Sequence, residues 1–202
     1  PAAIARRHGR ARRRGRGRAP ASPGGEARYR RPGAVGAAAA VAIHDGCCPG
    51  RMATADLGPV TVEARRPWFE THVPTRRPLW VDERDGTVVG WCSLSDFYGR
   101  PAYGATAEVS VYVADAAQRQ GVGASLLDHA LEASPQLSLT TLLGFIFDHN
   151  EPSIRLFTSR GFERWGHLPR VAQLDADEPG VRILGLRFGG PSPGPSVLAR
   201  RP

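Results

Sequence analysis

The sequence contains no lysine, and all 27 of its Lys+Arg positions are arginine. With abundant Ala, Gly and Pro beside it, this replacement points to the codon bias of a GC-rich genome rather than to a physical requirement. No apolar run approaches the roughly 20 residues of a membrane span, so no membrane partner is expected. Cysteine is scarce, with only Cys47, Cys48 and Cys92. The adjacent pair lacks the C-x-x-C spacing of a zinc knuckle or redox dithiol, and the six histidines show no paired ligand spacing, so no metal is expected. An odd thiol count without an apolar signal core favours a reduced, cytoplasmic setting.

The charge that is present is unevenly spread. Residues 1–31 hold 11 arginines and one acid, Glu26, whereas residues 32–202 hold 16 arginines against 18 acids, a net of −2. The formal net charge of +8 is therefore a property of the N-terminal tail. Residues 1–25 have almost nothing to bury and read as disordered. Such arginine density could bind phosphate backbones, but no aromatic residue interleaves it, and a solvated tail without a specific nucleic-acid partner is the expectation. Residues 26–188 are expected to form one domain of ordinary size, followed by a flexible Pro/Gly-rich tail over 189–202.

Hydrophobic periodicity and turn residues order the domain. A short strand over 27–31 precedes an Ala-rich helix over 36–44. Thr61 is placed to cap a helix over 62–72, with Glu63 in its first turn and Pro67 set to kink or delay it. Runs over 79–83 and 88–95 flank Asp85-Gly86, the signature of a tight hairpin. Then come a loop over 96–105, a strand over 107–113, a helix over 121–134, a doubly apolar strand over 140–147 and a helix over 151–160 ended by Gly161. Strands over 162–168 and 181–188 close the order. The class is α/β, a mixed sheet of six to seven mostly antiparallel strands flanked by about four helices.

The chemistry centres on Gln118-Arg119-Gln120-Gly121-Val122-Gly123-Ala124, which joins a strand to a helix beginning near Ser125. Unpaired N–H groups of the turn and the positive end of the helix dipole suit a phosphate there. The turn is not a Walker loop, since no Lys-Ser/Thr follows, nor a full dinucleotide fingerprint, since the third Gly is missing. One strand and one helix downstream lies Asn150-Glu-Pro-Ser153-Ile-Arg-Leu-Phe157-Thr-Ser-Arg-Gly161-Phe162.

Together these two segments resemble the GCN5-related N-acetyltransferase (GNAT) family. The first is similar to its Q/R-x-x-G-x-G/A pyrophosphate turn, the second to its N-x-x-S/A-I-x-L-Y/H-x-x-x-G-F segment. The runs 59–69, 76–94, 100–113 and 161–164 further resemble the phosphinothricin and methionine sulfoximine N-acetyltransferase branch. The resemblance covers about residues 27–187.

The resemblance implies acetyl-CoA as the acetyl donor and a small-molecule amine as acceptor; a homodimer is left open. The pyrophosphate would sit on Gln118–Ser125, and the pantetheine arm between the strand ending Val111-Tyr112-Val113 and the strand over 140–147. Asn150, Ser153 and Phe157 would complete the donor site, with Asn150 also able to cap its helix. Glu108, a lone acid on an apolar strand, is the candidate base that takes the amine proton. Phe157 stands where the family carries Tyr and this branch His, and phenylalanine cannot donate a proton to the departing thiolate. Arg100 and Tyr103 are candidate acceptor contacts, because arginine binds anions in a bidentate manner. Arg76 and Arg77 read as solvated. The competing readings are a protein N-terminal or polyamine acetyltransferase, and a non-catalytic acetyl-CoA-binding regulator.

Overall fold

A computed structural model of the chain describes residues 28–30 and 32–189. The tail expected over 1–25 and the residues beyond 189 lie outside the described residues. The elements run β1 (Arg28–Arg30), α1 (Ala34–Gly46), α2 (Val62–Thr71), β2 (Leu79–Arg84), β3 (Thr87–Asp96), β4 (Thr106–Val113), α3 (Val122–Ala133), β5 (Thr141–Phe147), α4 (Glu151–Thr158), β6 (Glu163–Leu168) and β7 (Val181–Arg187). This is the order expected from the sequence.

Local chemistry explains several boundaries. Thr61 caps α2 by accepting the Ala64 N–H at 3.1 Å, which satisfies a donor the helix cannot use itself. Pro67 nevertheless lies inside α2 without ending it. Asp85 and Gly86 turn the β2–β3 hairpin with φ of 50° and 77°, the pair of positive values that a tight hairpin turn demands.

The seven strands form one sheet in the order β1-β2-β3-β4-β5-β7-β6. Every pairing is antiparallel except that of β4 with β5. Helices cover both faces. On one, α3 sets Val122, Leu126, Leu127 and Ala130 against Cys92, Leu94, Ala107 and Val109, with Ile154 and Phe157 of α4 joining the same core. Each fully buried Leu there contributes about 1.5–3 kcal/mol. Gly90 admits α3: a β-carbon at that position would come within 2.9 Å of both Val122 Cγ1 and the Tyr112 carbonyl oxygen. On the other face, Ala40 and Ile43 of α1 pack on Leu79, Val81 and Trp91.

Side chains alternate along β4. Ala107 and Val109 belong to the α3 core. Glu108, Ser110 and Tyr112 line the space beside α1 and α2. That alternation decides which residues can meet an acceptor.

Candidate active site

The parallel pairing of β4 with β5 lasts for only three residue pairs, Thr106↔Thr141, Ala107↔Leu142 and Glu108↔Leu143. Beyond Glu108 the strands part. β4 continues on β3 as far as Val113↔Gly90, and β5 continues on β7 as far as Phe147↔Val181. The fork leaves backbone groups along both inner edges without a strand partner. An extended amide-bearing chain can add there as a strand does.

A cavity of about 280 Å³ fills the fork. Its walls are Met52–Ala55 from the α1–α2 connection, Glu108–Tyr112, Phe145–Phe147, Asn150, Ser153, Phe157 and Val181. A second cavity of about 340 Å³ lies toward α1 and α2, and shares Thr54, Ala55, Glu108, Ser110 and Tyr112 with the first. Glu108 therefore stands between two chambers at the point where the strands separate. Burial raises its carboxyl above the ordinary 4.5, because a low-dielectric setting disfavours the charged form. A base tuned in this way is better matched to accepting a proton near neutral pH.

The loop over the fork is tied on both sides. Tyr112 Oη donates to the Ala53 carbonyl at 2.9 Å, and Asn150 Nδ2 donates to the Met52 carbonyl at 2.8 Å. Arg51 holds both carboxylate oxygens of Asp175, at 2.9 and 3.0 Å. Tyr112 stays protonated, since burial first and Cys47 second push its phenol up to about 12. Asn150 also accepts the Ser153 N–H at 3.1 Å and caps α4. Both ends of its amide are thus engaged within the protein.

The glycine turn has the form expected for an anion site. Arg119 and Gly121 adopt φ of 59° and 78°, and no side chain caps α3. The first helical N–H to find an acceptor is that of Ser125, on the Gly121 carbonyl at 2.9 Å. Those of Arg119–Ala124 have none among the described residues. Gln118 and Gln120 direct their amides back to Asp115 Oδ1 and the Ala116 carbonyl, each at 2.8 Å. Gly123 has a packing reason as well, since a β-carbon would sit 3.3 Å from Leu156 Cδ2.

Not every candidate from the sequence converges. Glu108, Val111, Tyr112, Asn150, Ser153 and Phe157 line the fork. Val113 and the turn lie beyond its lining, where β4 ends. Val122 is buried in the core and offers only its N–H to the turn. The Ser125 hydroxyl is bonded to Tyr29 Oη. Arg100 and Tyr103 are exposed and line neither cavity.

Arg77 reverses its expectation. It is 3% exposed. Its guanidinium donates to the carbonyls of Arg76, Gly104 and Thr106 and makes an ion-pair contact with Asp96 at 2.7 Å. A buried guanidinium collecting carbonyls is a loop anchor; the sequence showed only one arginine of a pair before a proline. Thr54, Arg65 and His44 also line the second cavity and were not among the candidates. The signal for Arg65 was its i, i+3 spacing to Trp68 on a capped helix.

The sequence profile of the Acetyltransferase (GNAT) family matches residues 41–162. YwnH of Bacillus subtilis (strain 168), provisionally named a phosphinothricin acetyltransferase, is 46% identical over 73% of this chain and 90% of its own. The L-methionine sulfoximine/L-methionine sulfone acetyltransferase of Pseudomonas aeruginosa (strain PAO1) is 31% identical over 66% of this chain and 78% of its own. Among solved structures, an N-acetyltransferase from Staphylococcus aureus Mu50 superposes with a TM-score of 0.76 at 28% identity, over 81% of this chain and 99% of that one. The forked sheet, the uncapped glycine turn and these matches agree: the chain belongs to the GNAT acetyltransferase family.

Proposed function

We propose that this protein transfers the acetyl group of acetyl-CoA to the amino group of a small amino-acid-like acceptor of the phosphinothricin or methionine sulfoximine type. The observation that carries the reading is the parting of β4 from β5 immediately after Glu108, with a cavity on either side of that carboxylate. The names of YwnH and of the Pseudomonas relative support the acceptor class.

In this reading the N–H groups of Arg119–Ala124 hold the pyrophosphate and the inner edge of β4 pairs with the pantetheine arm. The acceptor enters from the α1–α2 side. Glu108, directly or through a water, takes the ammonium proton, a service worth roughly 10²–10⁴-fold. The freed amine attacks the thioester carbonyl, whose oxygen is polarised by backbone N–H groups of β4. The nitrogen of the tetrahedral adduct gives up its second proton to solvent, the C–S bond breaks, and the sulfur leaves as thiolate, to be protonated from solvent. A thiol with a pKa of about 8.5 departs acceptably without an acid, which is consistent with Phe157.

The test is a panel of amines assayed by CoA-thiol release, including phosphinothricin and methionine sulfoximine. Tight acetyl-CoA binding with no thiol release from any amine would replace this reading with that of a regulator. The acceptor roles of Arg100 and Tyr103, both outside the two cavities, are checked in the same assay: such a role requires Arg100→Ala and Tyr103→Phe to raise acceptor KM with acetyl-CoA KM unmoved, and unchanged acceptor KM removes it.

A further inference from the structure

The larger cavity beside Glu108 is also lined by an arginine. Arg65, on α2, lines it with His44, Thr54 and Asp56, together with Glu108 and Ser110 of β4. One terminal nitrogen of Arg65 is tied down: Nη2 is bonded to Asp56 Oδ2 and lies 3.1 Å from His44 Nε2. His44 is 6% exposed and is itself held by Thr54 Oγ1 at 3.0 Å. The guanidinium carbon stands 5.8 Å from the centre of the Trp68 ring, a cation–π contact that fixes the plane of the group. Nε and Nη1 have no acceptor among the described residues, and neither is buried. Three of the five donors of a preorganised fork therefore have no acceptor among the described residues, on a side chain that lines the same cavity as Glu108.

We propose that Arg65 is a specificity-determining residue that binds the carboxylate of the acceptor while the acceptor's amine faces Glu108. The inference rests on the acetyltransferase reading above and adds to it the group that selects amino acids over plain amines. A cation on α2 and a base on β4 that line one cavity match the charge pattern of an amino acid, ammonium at one end and carboxylate at the other. Asp56 and His44 act as positioning residues, since they hold Nη2 and leave the other nitrogens to the ligand. A charged hydrogen bond of this kind discriminates by roughly 10- to 100-fold.

The experiment compares L-methionine sulfoximine with its carboxamide as acceptors for wild type, Arg65→Gln and Arg65→Lys. The expected result is that Arg65→Gln lowers the carboxylate-to-carboxamide ratio of kcat/KM by about 10- to 100-fold, through acceptor KM, while Arg65→Lys retains part of the discrimination. Acetyl-CoA KM should not move in either variant. Equal loss with both acceptors, or loss with neither, would overturn the proposal and leave Arg65 a structural tie to Asp56. If wild type acetylates neither acceptor, calorimetric titration of both into CoA-saturated protein separates the two ideas. Carboxylate binding that Arg65→Gln abolishes keeps the role of Arg65 and removes the acetylation reading; absence of binding removes both.

Discussion

The ring of Phe157 lies so close over Gly144 that a β-carbon at 144 would sit 2.6 Å from its Cε1. The Phe157 ring also packs against Phe162, edge to face with centroids 4.8 Å apart. The residue that stands where the resemblance leads one to expect a proton donor is therefore a packed wall of the cavity in the fork. Gly144→Ala should displace the ring and cost about 1–3 kcal/mol in chemical denaturation. Phe157→Tyr should change kcat by less than about tenfold, because in the proposed mechanism the thiolate leaves without help. A larger rise in kcat would mean that protonation of the thiolate limits the natural enzyme.

Glu108 gives a prediction with a defined sign. Its folded pKa is raised by burial, so the folded state binds its proton more tightly than the unfolded chain does. The neutral carboxyl is well tolerated below the unfolded value of about 4.3, and stability is lost as pH rises through the folded value. Glu108→Gln should accordingly melt at a higher temperature than wild type at pH 8, with the gap closing toward pH 4. The same variant should lose roughly 10²–10⁴-fold in kcat with acetyl-CoA affinity retained, and the acid limb of the wild-type pH profile should lie above the ordinary carboxylate range. Unchanged turnover would remove Glu108 as the base.

The anion site proposed at the start of α3 can be probed by opposing effects. Ala124 occupies the third helical position after the Gly121 cap. A carboxylate there interacts favourably with the helix dipole, worth about 0.3–1 kcal/mol, but repels a pyrophosphate. Ala124→Asp should thus leave the free protein as stable or slightly more so, while acetyl-CoA KM rises at least about tenfold. Equal acetyl-CoA affinity in both proteins would move the pyrophosphate elsewhere.

Arg77 should prove structural. Arg77→Ala leaves the carbonyls of Arg76, Gly104 and Thr106 and the carboxylate of Asp96 without their donor. The expected cost is about 2–4 kcal/mol by urea denaturation. Burial would raise the Asp96 carboxyl, yet Arg76 and Arg77 together hold it below the usual range. That contribution is present at neutral pH and is lost as pH falls through the depressed value. The wild-type-to-variant stability gap should therefore narrow in acid.

Much of the site was written in short-range signals. The glycine turn, the capped helices and the Asp85-Gly86 hairpin are local, because each depends on backbone conformations that a few adjacent residues impose. The register of β4 is partly local as well: strict alternation puts Glu108, Ser110 and Tyr112 on one face. Arg77 and Arg65 show where this legibility ends. Both are arginines beside another arginine, and nothing within a few residues tells which is buried. The carbonyls that capture Arg77 lie up to 29 residues away, and the histidine beside Arg65 lies 21 residues away.

By itself the sequence determined the order of the elements, the glycine turn before α3 and the family, since these follow from periodicity, glycine conformation and contiguous motifs. Only the tertiary structure decided where β4 leaves β5, which places Glu108 between two cavities. It also decided that Asn150 spends both ends of its amide within the protein, that Phe157 is a wall against Gly144, and that Arg100 lies outside the two cavities while Arg65 lines one. The physical reason is the same throughout. A side chain's role depends on which groups surround it, and those groups come from strands and helices that meet only when the sheet is assembled.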